Sequence, residues 1–253
     1  MNIKNVNWLS GIKKLGFGFI LSSAFGLNAN AKCLTDSYCK ELYIGAGGFY
    51  ENVNASTANV GSSGGFISLG EYLLFNKKIR YGADLKIGYS GNTISGVALS
   101  SLNKNNNALY IESVPKIGVN VTNDNSPLFV SLVLGGDVLI ASNENGFGKL
   151  MVYLGPEIDG IFAISERLKL TYSFGYGAIL GGHVFDGTIA IFKGYNQRIM
   201  ASLGMRVKIS ENLNFYVKGL SKYYSLNESR KAENMSLPKS NAWHLGLEAG
   251  IVF

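Results

Sequence analysis

From Asn241 to Phe253 the chain alternates. Trp243, Leu245, Leu247, Ala249, Ile251 and Phe253 are apolar, His244, Gly246, Glu248 and Gly250 fall between them, and Val252 alone is out of step. Successive side chains of an extended chain point to opposite faces, so this spacing builds a strand with one oily face and one polar or bare face. The pattern recurs. Tyr81, Ala83, Leu85, Ile87 and Tyr89 oppose Arg80, Gly82, Asp84, Lys86 and Gly88, and Ile199, Ala201, Leu203, Met205 and Val207 oppose Arg198, Ser202, Gly204, Arg206 and Lys208.

Ten such segments can be read, at about 42–50, 65–75, 80–90, 108–121, 128–141, 150–163, 168–180, 198–209, 213–225 and 241–253. Several exceed the five or six residues usual in globular strands and match the 9–11 a tilted membrane-spanning strand needs. The expectation is an all-β fold, a single antiparallel up-and-down transmembrane β-barrel of about ten strands, with eight or twelve if one weak hairpin is miscounted. The facing of the first two strands is ambiguous, and Pro115 and Pro156 each remove a ladder donor inside a strand.

Connections fall into two classes. Asn76 to Lys78, Thr122 to Pro127, Ser165 to Arg167 and Ser210 to Asn212 are short, whereas Glu51 to Gly64, Gly91 to Asn107, Gly181 to Gln197 and Leu226 to Ser240 are long and rich in Asn, Ser and Gly, with Ser142 to Gly148 intermediate. Alternation of short and long connections is what periplasmic turns and extracellular loops produce.

The start of the chain bears on compartment. Lys4, Lys13 and Lys14 precede an apolar stretch from Leu15 to Leu27, and Ala29-Asn30-Ala31 has the form of a signal-peptidase site. Residues 1–31 therefore read as a cleaved secretory signal, 32–41 as a periplasmic N-terminal segment and 42–253 as the barrel. A single-helix anchor would need about 20 apolar residues. Removing 1–31 takes away three lysines and no carboxylate, leaving 20 basic against 17 acidic residues. No basic run interleaved with aromatics supports a nucleic-acid partner.

Cys33 and Cys39, with five residues between them, are the two cysteines, and an exported chain favours a disulfide between them. With no histidine nearby, a metal site has no support, and no cofactor is expected.

The polar faces place Arg80, Lys86, Lys116, Lys169, Arg198, Arg206, Lys208, Lys218 and Lys222 in the lumen, with Asp84, Glu112, Asp137, Glu157, Asp159 and Glu248. Ten strands give a bore only slightly wider than that of eight-stranded barrels, which side chains fill. Paired charges point to a closed or very narrow lumen, and the excess of cations gives any leak an anion preference. Candidate chemistry is thin. His183 and Asp186 in a long loop could form an exposed pair, Glu157 and Asp159 share a face, and His244 faces inward with no serine at a suitable spacing.

Taken together, the signal segment, the alternating strands and the terminal Phe253 resemble a small bacterial outer-membrane β-barrel of the opacity-type or OmpA-like surface-protein kind. The stretch Glu41-Leu42-Tyr43-Ile44-Gly45-Ala46-Gly47 is similar to the starts of Helicobacter-type surface proteins. The resemblance implies that Trp243, Leu245, Leu247, Ile251 and Phe253 form the assembly signal read by the outer-membrane insertion machinery. It also implies partners in outer-membrane lipid and lipopolysaccharide, a monomer, and an unidentified host or surface ligand at the loops. The His183/Asp186 pair loosely resembles that of omptin-type proteases, but no second acidic pair completes it. The expected function is a non-enzymatic surface protein, followed by a narrow channel and, third, a barrel enzyme of protease or lipid-modifying type.

Overall fold

A computed structural model describes residues 33–35, 38–122, 126–142, 145–185, 188–231 and 236–253. The expected signal, residues 1–31, and Asp186 lie outside the described residues. The strands are β1 (Cys33–Thr35), β2 (Tyr38–Ala55), β3 (Ala58–Phe75), β4 (Ile79–Ser95), β5 (Asn105–Asn120) and β6 (Leu128–Ala141). They continue as β7 (Phe147–Ala163), β8 (Leu168–Phe185), β9 (Thr188–Ile191), β10 (Asn196–Ser210), β11 (Leu213–Leu226) and β12 (Ser240–Val252).

Ten of these, all but β1 and β9, form the wall. Each pairs antiparallel with its neighbour in chain order, β8 passes directly to β10, and β12 pairs with β2 to close the ring. Closure leaves no free sheet edge. Phe253 extends the seam, its N–H donating to the Leu42 carbonyl at 2.8 Å and its carbonyl accepting from the Leu42 N–H at 3.3 Å.

Facing follows the alternation. Ile67, Tyr81, Ile87, Leu132, Leu154, Leu203, Leu245 and Leu247 are exposed on the outside. Tyr43, Phe49, Glu51, Phe66, Lys86, Glu112, Asp137, Lys222 and Glu248 are buried within. In β2 the odd-numbered residues point inward and in β3 the even-numbered, which settles the two strands the sequence left ambiguous. Val252, the residue out of step, is buried against Tyr43 and Tyr216. Glycines admit the large inward rings: a Cβ at Gly70 would run into the Tyr43 ring, and one at Gly135 into that of Tyr153.

The two prolines interrupt one ladder each. Val114 and Pro115 are unpaired on the β6 side while Pro115 stays opposite Ala83 of β4; Gly155 and Pro156 are unpaired on the β8 side while Pro156 stays opposite Leu132 of β6. A proline lacks a donor on one side only, so the other neighbour can still be held.

One end of the barrel carries the four expected short turns; in the first of them, Asn76 and Lys77 adopt positive φ, as a tight hairpin turn requires. The other end departs from expectation. Glu51 to Gly64 is not a long loop: β2 and β3 stay paired to Ala55 opposite Ala58, leaving a two-residue turn. Gly181 to Gln197 is mainly the end of β8, the short β9 paired back on it, and the lead into β10. Strong pairing between neighbours extends polar strands beyond the stretch that hydropathy marks. β2 likewise starts at Tyr38, not at 42.

Candidate functional site

The interior is the place where polar chemistry collects, and it divides into two halves. Near the turn end a cavity of about 510 Å³ opens between the inner faces of the strands, with Glu41, Tyr72, Arg80, Lys116, Arg206 and Phe253 among its lining residues. Its charges come in pairs. Arg80 Nη1 donates to Asp159 at 2.6 Å, Lys116 Nζ to Glu157 at 2.8 Å, and Arg206 makes a two-pronged contact with Glu41 at 2.7 and 2.9 Å. Asp84 accepts hydrogen bonds from Tyr43 at 2.5 Å and from Tyr72. Ser173 and Ser202 share a 2.6 Å hydrogen bond on the same wall.

Deeper toward the loop end the charges are out of contact with solvent. Lys149 Nζ lies 2.6 and 2.5 Å from the two Glu51 carboxylate oxygens and 3.2 Å from Asp137, and His244 Nδ1 is 3.0 Å from Glu51. Lys222 donates to Glu112 at 2.5 Å, Tyr224 to Asp137 at 2.7 Å, and Lys86 sits 3.3 Å from Glu112 and 3.6 Å from Glu248. Lys218, which borders the cavity and keeps 26% of its side-chain surface, is 3.6 Å from Glu248. Each carboxylate thus meets a cation or several donors, the condition for burying a charge without a large penalty.

Around this network packs an aromatic and aliphatic plug. Phe49 stacks on His244 with centroids 5.2 Å apart and lies 4.5 Å from Tyr110, while His183 sits 5.3 Å from Phe147 and 4.8 Å from Phe192. Leu99, Leu102, Phe192 and Leu237, from the connections at the loop end, are buried in the same cluster. The obstruction therefore lies beyond the level of Asp84, Lys116 and Arg206, which border open space.

Thirteen of the fifteen charges assigned to the lumen, Arg80, Asp84, Lys86, Glu112, Lys116, Asp137, Glu157, Asp159, Arg198, Arg206, Lys218, Lys222 and Glu248, lie on the inner face. Three inner charges were missed, Glu41, Glu51 and Lys149, because they stand in stretches read as segment ends or loop. Lys169 and Lys208 are exposed at the turn end, and Lys208 pairs there with Glu211 at 2.8 Å. With these corrections eight inner cations face eight carboxylates among the described residues, and the expected cation excess disappears there.

The enzyme candidates change too. His183 is not an exposed loop residue: it is 1% exposed, faces inward from β8, and neither ring nitrogen has a hydrogen-bond partner. Glu157 and Asp159 are both answered by cations: Lys116 lies 2.8 Å from Glu157 and 4.0 Å from Asp159, and Arg80 pairs with Asp159. Among the described residues no group of three or more His, Cys, Asp or Glu is placed to hold a metal ion. Trp243, Leu245 and Leu247 face outward, Trp243 packing at 4.8 Å on Tyr223. The β1–β2 pairing sets Cys33 opposite Cys39.

No family model matches the chain, and no curated protein matches it. Among solved structures it is similar to the outer membrane protease OmpT of Escherichia coli, with TM-score 0.54 and 11% identity over 87% of this chain and 97% of that one. The fold is that of a bacterial outer-membrane β-barrel. Neisserial surface protein A (TM-score 0.38, 8% identity, covering 83% of this chain and 95% of that one) and the COG4313 outer membrane channel of Pseudomonas putida F1 (0.43, 9%, 90% and 98%) are more distant likenesses.

Proposed function

We propose that this chain is a non-enzymatic, non-conducting outer-membrane β-barrel that acts through its loop end, in surface or host contact or in envelope integrity. The observation that carries the reading is the plug. Tyr110, Lys149, Met151, Tyr153, Lys222 and Tyr224 are each no more than 2% exposed, and apolar residues of the loop-end connections close over them. Side chains packed to this degree leave no water path for ions.

The belt of outward Ile, Leu, Val, Phe and Tyr supports a lipid environment, and the short turns support a periplasmic position for that end. In this reading residues 1–31 are the export signal, Cys33 and Cys39 form a disulfide just outside the barrel, Phe253 and the outward residues of β12 serve insertion, and the barrel works as a monomer among outer-membrane lipid and lipopolysaccharide. The function then lies in what the rigid wall presents outward.

Planar-bilayer recording with the refolded chain tests the reading, and silence is expected. Steady ion steps would replace it with the narrow-channel reading, which the open cavity at the turn end favours. Because the buried charges balance, such a channel would discriminate little between anions and cations.

A further inference from the structure

Arg198 departs from the pairing that governs the interior. It projects from β10 to the deep end of the turn-end cavity, is 5% exposed, and forms no ion pair among the described residues. Its guanidinium lies over the Tyr153 ring at 3.9 Å and its Nε has no hydrogen-bond partner. The nearest candidates to answer it are already engaged. Glu112 is taken by Lys222 at 2.5 Å and Lys86 at 3.3 Å, Glu157 by Lys116 at 2.8 Å, and Asp137 by Lys149 at 3.2 Å and Tyr224 at 2.7 Å.

The chain nonetheless keeps an arginine here. An aromatic face stabilises a desolvated cation by less than removing the ion from water costs. A group that completes the guanidinium's hydrogen bonding would remove that deficit.

Two further features sit on the same wall. Lys218, on neighbouring β11, lines the cavity with a single ion contact, 3.6 Å to Glu248. By register the hydroxyls of Ser173 and Ser202 lie between Arg198 and Lys218 along this wall. A guanidinium offers planar paired donors that match a carboxylate or phosphate, and a cavity of about 510 Å³ has the capacity of small-molecule sites.

We propose that the turn-end cavity is a binding site for a small water-soluble organic anion, whose carboxylate or phosphate is held by Arg198, with Lys218 farther along the same wall adding positive charge. The anion enters from the aqueous space at the turn end, where the cavity opens, because the ten strands close into a ring around it. Nothing in this site depends on what the loop end contacts.

The test is calorimetric titration of the full chain, refolded in detergent micelles, with two probes, inorganic phosphate and succinate. Saturable binding of at least one probe is expected, weakened at least tenfold by Arg198→Met and little changed by Arg206→Met, whose partner Glu41 lies at the rim. Arg198→Lys keeps the charge without the fork and serves if the methionine variant fails to fold; it too should weaken binding. No saturable heat at millimolar probe, or equal weakening by Arg198→Met and Arg206→Met, would overturn the proposal, the second because it would mean diffuse attraction in place of a site.

Discussion

The two halves of the barrel interior use the same residue types to opposite ends. Near the loop end, Lys149, Glu51, Asp137, His244, Lys222 and Glu112 are sealed under aromatic rings. Near the turn end, Arg206, Glu41, Arg80 and Asp159 line open space and keep 13 to 34% of their side-chain surface. A sealed charge is held by its partner alone, whereas a wetted one has water to fall back on. The sealed half is therefore structural, and the open half is where a ligand can be exchanged.

That contrast is broken most directly by removing one partner in each half. Glu51→Ala leaves Lys149 with Asp137 alone and takes the carboxylate away from His244, and losing one member of a buried pair costs about 3–5 kcal/mol. Glu41→Ala, at the wetted rim, should cost about 0–1 kcal/mol. Urea unfolding of the refolded barrels, followed by heat-modifiable gel mobility, measures both; equal losses would mean that water reaches the two halves alike.

The wall can be compared with the interior in the same way. Leu203 is 60% exposed on the lipid side near mid-strand, while Ser202 lines the cavity. Leu203→Arg should cost about 2–4 kcal/mol in bilayers, and Ser202→Arg much less. Matching stability of the two variants in lipid vesicles would contradict the inside-outside assignment of β10.

A smaller effect is expected at the seam. Phe253→Ala leaves the ladder bonds to Leu42 in place but removes the terminal ring, so the folded protein should keep most of its stability while less of it reaches the outer membrane. Fractionation of cells that express both forms reads this out, and undiminished outer-membrane levels would remove the assembly role. Least of all should Cys39→Ser disturb the barrel, since Cys39 stands at the start of β2 and the β1 segment it faces lies outside the closed wall. Thiol labelling without prior reduction should nonetheless modify nothing in the parent chain and Cys33 in the variant; ready labelling of the parent would exclude the disulfide.

Much of this was legible beforehand, and the limit is instructive. The facing of β4, β5, β6, β8, β10 and β12 follows from period-two alternation because a pleated strand between lipid and a packed interior has no other way to place its side chains. What failed was the reading of polar stretches. Glu51, Ser62 and Ser63 look like loop, yet they belong to strands paired on both sides, and His183 looks like a rim residue although β8 carries it inward. Hydropathy marks where a strand crosses oil; it carries no signal for where hydrogen bonding between neighbours stops.

By itself, then, the order of residues pointed to about ten strands, to the facing of strands such as β4, β8 and β10, and to most of the charges that live inside, since each of these rests on local spacing. Tertiary structure decided which charge meets which, because partners such as Glu51 and Lys149 or Lys222 and Glu112 stand 98 and 110 residues apart and meet only when the ring closes. It also decided that Arg198 would be left over. A pairing across the bore depends on the stagger of ten strands at once, and that is a property of the closed barrel rather than of any segment of it.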